Sequence, residues 1–297
     1  MSYENITTLL NVRFIHFVAN NFNITLKNIT IKNVNGVPSQ SNDLIFYENM
    51  PFSINVIDGL YVSNLYLSGR SIIKINTPLD VFQVRNSVFE SINTTTSDSL
   101  IDTGIFKALL FTNITISNIN LADQINKGGV ILKLSNMDLD SQFDTIIQDI
   151  SISDCQASFI DFASFFNTPP SPKLISIANL NYTNGYFIDD RAFMSTDGVE
   201  LDVDLTITMS NLIFSNVSFE FGGTIVELKH QMNNHVTITD SEFSNMNAAL
   251  ISVMSSNTQR TDLLTRVQIN DTTFDNINNG FNSLVNVNEG GRLDVTN

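Results

Sequence analysis

Val236-Thr-Ile238-Thr-Asp240-Ser-Glu-Phe243-Ser-Asn245-Met246 carries the pattern from which the architecture of this chain follows. Apolar and polar residues alternate with period two, and β-branched residues are frequent, which is typical of short β-strands. An acidic residue interrupts the alternation, an aromatic residue follows it by three positions, and Asn245 follows by five. The pattern predicts short strands that are separated by tight corners at Asp240 and Asn245.

The same pattern recurs along the chain about every thirty residues. The sequence assigns a first polar column to Asn28, Asn64, Asn86, Asn113, Asp149, Asn179, Asn211, Asp240 and Asp271. Five positions later, it assigns a second column to Asn33, Asn118, Asp154, Asn184, Asn216, Asn245 and Asn276, with Gly69 and Ser91 as exceptions. A repeat of this length indicates a stacked architecture.

A further alternating run follows the second column in each repeat, as in Gly129–Leu134 and Gly223–Leu228. Each repeat is therefore predicted to hold three short strands, two tight corners and one looser connection. Three strands per turn, stacked turn upon turn, form a parallel β-helix. The prediction is an all-β, right-handed parallel β-helix of about ten coils, with residues 1–297 as a single solenoid and with right-handed crossovers as the general rule favours.

The polar columns have a physical reason in this geometry. Equivalent corner residues of stacked coils lie about 4.8 Å apart, so an Asn side chain can bond to the Asn of the coils above and below it. Asn also tolerates the left-handed backbone conformation that a sharp corner needs. We expect an Asn ladder that satisfies corner amides which would otherwise be buried without partners.

These repeats resemble the right-handed parallel β-helix superfamily, typified by pectate lyases, polygalacturonases and the repeat regions of bacterial and protist surface proteins. The resemblance covers about Val12 to Asn297 and rests on the repeat, not on a catalytic motif. It therefore implies a fold and leaves the function open.

The charge of the chain narrows the classes of partner. Fifteen basic residues stand against 30 acidic ones, which gives a net charge of −15. Such a surface repels nucleic acid and anionic lipid and could attract cations. No apolar run reaches the roughly 18 residues of a membrane-spanning helix.

One acidic strand is a candidate calcium site. Alternation places Glu200, Asp202 and Asp204 on one face of a strand, about 7 Å apart, and carboxylates are the ligands that calcium prefers. A solvated strand face explains the same residues without a metal. The sequence predicts no tightly held cofactor.

Enzymes of the superfamily gather Asp, Arg, Lys or His residues on one outer face. Here His16, His230 and His235 fall in no recognisable motif, and the adjacent carboxylates of Asp189 and Asp190 have no matching partners on neighbouring coils. The single cysteine, Cys155, stands where other coils carry Val, Ile or Met. A small buried apolar residue explains Cys155, and a reactive thiol is the alternative.

Several Asn residues lie in sequons for N-glycosylation. Asn181 and Asn270 fall on the outward phase of strands and Asn93 lies in a polar run, so these three are the candidate glycan sites. Asn216 also lies in a sequon, but it belongs to the second column, where its amide is engaged. We expect no glycan at Asn216.

The connection that contains Phe165 and Phe166 is unusual because three prolines follow the two aromatic residues. The two side chains could form a rigid contact site for a partner, or they could fold back over the solenoid. The last residues, Gly290–Asn297, repeat the pattern that enters a new coil. We therefore expect this chain to be a segment of a longer one, whose coils stack end to end with the rest of the chain or with another copy.

The sequence favours a non-enzymatic structural or adhesive protein outside the cell or on its surface, in which the β-helix is a rod within a fibre, stalk or surface layer. One alternative is a polysaccharide lyase or glycoside hydrolase on the same fold. Another is a carbohydrate-binding module, although the chain contains no Trp, an aromatic residue that sugar platforms favour.

Overall fold

A computed structural model gives the architecture of the chain. It describes residues 2–8, 14–18, 23–36, 43–48, 53–67, 71–77, 79–94, 99–103, 106–121, 129–137, 143–165, 173–187, 192–197, 204–219, 223–229, 233–253, 265–278, 284–287 and 292–296. These residues contain strands and tight bends and no helix.

The strands form two sheets in which each strand pairs in parallel with its equivalent in the next coil. The first sheet follows the order β1-β3-β5-β7-β9-β11-β13-β16-β18-β21-β24, with β14, β19 and β22 beside this path. Its strands are β1 Ser2–Thr8, β3 Ile24–Gly36, β5 Ile54–Leu67, β7 Leu79–Thr94, β9 Phe106–Asn120, β11 Phe143–Ser153, β13 Lys173–Thr183, β14 Tyr186–Phe187, β16 Asp204–Phe219, β18 Asn233–Thr239, β19 Glu242–Met246, β21 Thr265–Asn270, β22 Thr273–Ile277 and β24 Arg292–Thr296.

The second sheet closes the other side of the coil with short strands. Its order is β2-β4-β6-β8-β10-β12-β15-β17-β20-β23. These strands are β2 Ile15–Val18, β4 Ile45–Glu48, β6 Ile73–Ile75, β8 Ile101–Thr103, β10 Val130–Met137, β12 Ser158–Phe165, β15 Ala192–Asp197, β17 Gly223–Lys229, β20 Ala248–Val253 and β23 Val285–Val287. The fold is an all-β parallel solenoid.

The prediction of three strands per coil is wrong. In coils such as that of β16, one long strand runs through both corner residues, Asn211 and Asn216, and a short strand of the second sheet completes the coil. A single residue in the left-handed conformation bends the strand, and the equivalent residue bends the next strand in the same way. The parallel hydrogen bonds therefore continue across the corner, and two predicted strands become one.

The prediction of about ten coils is also wrong, because the solenoid amounts to about six turns. From β3 to β16, each long strand of the first sheet pairs with the next on both sides of the first corner. In the two coils that follow β16, two shorter strands replace the long strand: β18 and β19 on either side of Asp240, and β21 and β22 on either side of Asp271.

The core consists of stacked rows of inward-facing side chains. One internal row contains, in register, Phe89, Ile116, Ile152, Tyr182, Phe214, Phe243 and Phe274. The rings of Phe214, Phe243 and Phe274 stack with centroids 5.4 and 5.5 Å apart. Full burial of such a side chain is worth about 1.5 to 3 kcal/mol, so these rows supply much of the stabilisation.

Candidate functional site

The outer surface of the solenoid carries two polar columns at the corners of the coils. The corner residues have φ between 46° and 58°, in the left-handed region that Asn and Asp tolerate better than other side chains. These residues are Asn28, Asn33, Asn64, Asn86, Ser91, Asn113, Asn118, Asp149, Asp154, Asn179, Asn184, Asn211, Asn216, Asp240, Asn245, Asp271 and Asn276. The corner positions are therefore occupied mostly by residue types that tolerate this backbone conformation.

The assignment of Asn64 to the first column is wrong. Its strand neighbours place it opposite Asn33, and its amide nitrogen donates to the Oδ1 atom of Asn33 at 3.2 Å. The first column of this coil instead contains Gly59, which has a φ of 78° and lies opposite Asn28 and Asn86. Asn64 therefore belongs to the second column.

Hydrogen bonds between side chains link successive members of both columns in one direction. In the first column, Asn211 Nδ2 donates to Asn179 Oδ1 at 2.9 Å, and Asn179 Nδ2 donates to Asp149 Oδ1 at 2.7 Å. In the second column, Asn216 donates to Asn184 at 2.8 Å, and Asn184 donates to Asp154 at 3.1 Å. In each of these bonds, the amide nitrogen donates to the coil that precedes it in sequence, so the bonds have a polarity along the solenoid.

Carboxylates mark the points where these runs begin. An ionised Asp accepts hydrogen bonds and has none to donate. Asp149 and Asp154 stand in the same coil and accept from the following coil, so one run of amides begins there in each column. Asp240 and Asp271 are successive members of the first column, so two carboxylates lie in neighbouring coils.

The corner side chains of both columns are exposed, apart from the half-buried Ser91. At each corner, the left-handed residue follows another outward-facing residue, so two consecutive side chains point to solvent. Ser210 and Asn211 are such a pair, and the buried Met209 and Leu212 flank them. The columns are therefore regular rows of hydrogen-bonding groups on the outer surface.

A charged group adjoins the first column where Gly59 interrupts it. Asp58 accepts from Asn86 Nδ2 at 2.8 Å and from Arg85 Nη2 at 2.9 Å. These hydrogen bonds to Asn86 and Arg85 lower the pKa of the Asp58 carboxyl. On the neighbouring face, the Tyr61 hydroxyl donates to Glu90, and the Lys32 ammonium lies 4.6 Å from the centre of the Tyr61 ring. The sequence analysis missed this group because its members come from three coils.

The calcium candidates fall mostly outside the described residues. Glu200 and Asp202 lie there, and Asp204 begins β16 without a described side chain. Within the described ranges, no three His, Cys, Asp or Glu side chains are arranged to hold a metal ion. The calcium site stays a prediction.

The three candidate glycan sites lie on the outside of the first sheet. Asn93 and Asn181 are exposed. Asn270 is half-buried, and its Oδ1 atom accepts from the Thr296 hydroxyl at 2.6 Å. Asn216 donates its amide nitrogen to Asn184, which is the engagement expected of a column residue.

The other candidates divide between described and undescribed parts of the chain. Phe165 is the last residue of β12 and its side chain is not described, while Phe166, His230, Asp189 and Asp190 lie outside the described residues.

Cys155 is buried, and its thiol donates to the backbone oxygen of Ser153 at 3.1 Å. Burial raises the pKa of Cys155 to about 12. A thiol with such a pKa is a poor nucleophile, which favours the apolar interpretation of Cys155.

Comparisons with family models, with curated proteins and with solved structures gave no match. The part of the chain that the structure describes holds no helix long and apolar enough to cross a membrane.

Proposed function

We propose that this chain is a non-enzymatic structural or adhesive protein outside the cell or on its surface, where the solenoid is a rod within a fibre, stalk or surface layer. We further propose that the solenoid is right-handed and related to the pectin lyase-like superfamily. The observation that carries the proposal is the hydrogen bonding between coils. Backbone hydrogen bonds connect each coil to the next along the axis, and hydrogen bonds between the corner side chains connect many of these coils on the outer surface.

This bonding gives the rod the properties that a structural element needs. The long strands β7 and β9 pair at twelve positions between Leu79 and Asn93, and the amide of Asn113 bonds to Asn86 at 2.7 Å outside that pairing. Backbone bonds, core rows and surface columns all connect neighbouring coils. A local opening must therefore break several kinds of contact at once.

The proposal includes partners and a compartment. The partner is another copy or the rest of the same chain, joined by end-to-end stacking of coils. The exposed positions of Asn93 and Asn181 suit a glycosylated surface. In secretory expression, peptide mass spectrometry should find glycans at Asn93, Asn181 or Asn270 and none at Asn216. A glycan at Asn216 would contradict the assignment of that amide to the column.

Enzymatic assays test the class of function directly. The purified chain is incubated with pectin, alginate, xylan and chitin, and new reducing ends and unsaturated uronates are measured over a day. We expect no product above a heat-denatured control. Release of product that scales with protein concentration would overturn the non-enzymatic proposal in favour of a lyase or hydrolase. Retention on one of these polysaccharides without cleavage would replace the rod with a carbohydrate-binding module.

A further inference from the structure

The junction between β9 and β11 differs from its neighbours in the first corner column. Asn113 in β9 donates its amide nitrogen to Asn86 in the preceding coil at 2.7 Å, so its Oδ1 atom is directed toward the following coil. The register of the two strands places Asp149 of β11 opposite Asn113. A carboxylate has no hydrogen to donate. Two acceptors therefore face each other across this junction.

The second column repeats the arrangement between the same two coils. Asn118 donates its amide nitrogen to the hydroxyl oxygen of Ser91 at 3.2 Å, and Asp154 is the residue opposite Asn118 in β11. Among the described corner residues of β7, β9, β11, β13 and β16, the other three junctions carry a side-chain hydrogen bond in both columns. The junction between β9 and β11 is held at neither corner by such a bond.

The core has a second weakness in the coil of β11, and it is independent of the columns. Thr145 lies in a row that has Leu109 in β9 and Ile175 in β13. The Thr145 side chain is fully buried, and its Oγ1 atom has no hydrogen-bond partner in the described part of the chain. A hydroxyl that is buried without a partner opposes packing, because it exchanges its bonds to water for none.

We propose that the solenoid opens first between β9 and β11, and that Asp149 and Asp154 make this junction its opening site. Backbone hydrogen bonds connect the strands at every junction, so the junction with the fewest additional contacts has the smallest free energy of opening. The opening separates a part that ends with β10 from a part that begins with β11. This inference goes beyond the proposed rod, because it concerns the local stability of the solenoid whatever the solenoid binds.

Three backbone amides at equivalent places report on three successive junctions. Gln156 donates its backbone N–H to the carbonyl of Ile119 at 2.7 Å, across the opening site. Tyr186 and Ser218 make the equivalent bonds, at 3.0 and 2.9 Å, across the next two junctions. Each amide exchanges its hydrogen with solvent when its own junction opens, so the three exchange rates measure the three opening equilibria.

Native-state hydrogen exchange of the wild-type chain is the first test. The rate for each amide is measured by NMR and is corrected for the intrinsic rate that its neighbours in sequence set. Gln156 should exchange at least about fivefold faster than Tyr186 and Ser218, because two column bonds are missing at its junction.

The double variant Asp149→Asn with Asp154→Asn supplies the missing donors. Each new amide can donate to the preceding coil and still accept from the following one, and Asn tolerates the left-handed corner. Both columns then continue across the opening site. The exchange of Gln156 should slow at least about fivefold, and the rates of Tyr186 and Ser218 should change less than about twofold.

A second double variant controls for the change in charge. Glu242 and Asp275 are exposed and lie between the two columns in later coils. Glu242→Gln with Asp275→Asn removes the same two negative charges and adds no donor at the opening site, so the Gln156 rate should change less than about twofold. The Asp149→Asn and Asp154→Asn protein is also measured in 1 M salt, where charges are screened beyond about 3 Å.

The core contribution has its own pair of variants. Thr145→Val removes the unpartnered hydroxyl and keeps the shape of the side chain, so it should slow the exchange of Gln156 about threefold or more. Thr237→Val is the control, because Thr237 is half-buried on the outer side of β18. An unchanged Gln156 rate in Thr145→Val would overturn the part that the core plays.

Faster exchange at Gln156 in the wild type, slowed in the Asp149→Asn and Asp154→Asn protein and still slowed in 1 M salt, supports the opening site. Three results overturn it: equal corrected rates for the three amides, a Gln156 rate that the double variant leaves unchanged, or a gain that disappears in 1 M salt. Polysaccharide cleavage produces none of these results, so failure of the opening site and failure of the rod proposal are separate findings.

Discussion

Asn86 bonds to Asp58 and not to the residue opposite it in the first column. That opposite residue is Gly59, which has no side chain, and the Nδ2 atom of Asn86 reaches the Oδ1 atom of Asp58 at 2.8 Å. A Cβ atom added at Gly59 would lie 2.9 Å from the Oδ1 atom of Asn28. The glycine therefore fits a corner where the backbone has a φ of 78° and where the Asn28 amide is close.

Substitutions at Gly59 should separate two effects: backbone strain at a positive φ, and steric contact of a new side chain with Asn28. Gly59→Val places a β-branched residue in the left-handed region and should lower the free energy of unfolding by about 2 to 3 kcal/mol. Gly59→Asn should cost less than about 1 kcal/mol, because Asn tolerates this conformation and the contacted Asn28 side chain can move. Urea denaturation measures both. Equal midpoints for the two variants would contradict the role of the corner conformation.

The columns should stabilise the solenoid measurably. Asn216→Ala removes the bond to Asn184 and leaves an alanine at a φ of 56°, so we expect a loss of about 1 to 2 kcal/mol. Asn181→Ala is the control, since Asn181 is an exposed strand residue two positions after a corner, and its cost should stay within about 0.5 kcal/mol. If thermal unfolding shows no difference between the two variants, the columns do not stabilise the fold.

The group around Asp58 should make stability depend on pH at the acidic end. The pKa of Asp58 is lowered from its ordinary 3.8 by its bonds to Asn86 and Arg85. Its stabilising contribution is therefore complete above about pH 4 and is lost as the pH falls through the lowered pKa. The Asp58→Asn variant has no carboxyl group at this position, so its stability does not show this loss as the pH falls. The difference in melting temperature between wild type and variant should shrink between about pH 5 and pH 2, and a constant difference would contradict the assignment.

The corners of the solenoid were predictable because their chemistry is visible in the sequence. Asn and Asp at a fixed spacing reveal where the backbone takes the left-handed conformation, and the alternating runs show which side chains enter the core. The error at Asn64 has a specific cause. Leu67 follows Asn64 by three positions, as Ile31 follows Asn28, so the sequence around Asn64 matches the first-column pattern. The true first-column residue of this coil, Gly59, has no polar side chain by which the pattern could identify it.

Two other features could not be read from the pattern. Whether a corner ends a strand depends on hydrogen bonds to the coils on either side, so β16 continues through Asn211 although its equivalent at Asp240 divides the strand. Contacts between coils, such as that of Arg85 with Asp58, depend on residues 27 positions apart, and their register is set by the whole stack. Local sequence carries little information on either feature.

One position in the core departs from the pattern of its row. Cys155 and Val217 stand in register with Gly185, where the coil between them has no side chain. A Cβ atom there would lie 2.5 Å from the ring of Tyr182, which is buried and packs edge-on against Phe214 with centroids 5.7 Å apart. The ring of Tyr182, which is larger than the Ile152 side chain before it, occupies the space that a side chain at 185 would fill.

This compensation predicts strong coupling between Gly185 and Tyr182. Gly185→Val alone should lower the free energy of unfolding by about 1 to 3 kcal/mol through overpacking. Tyr182→Ile alone should cost about 2 to 4 kcal/mol, because it leaves a cavity and ends the hydrogen bond from the hydroxyl to the Cys155 carbonyl. In the double variant, the valine fills the cavity, as Val217 does in the next coil. The total should therefore fall short of the sum by about 1 to 3 kcal/mol in a double-mutant cycle of urea denaturation. Additivity within about 0.5 kcal/mol would show that the two residues do not share one space.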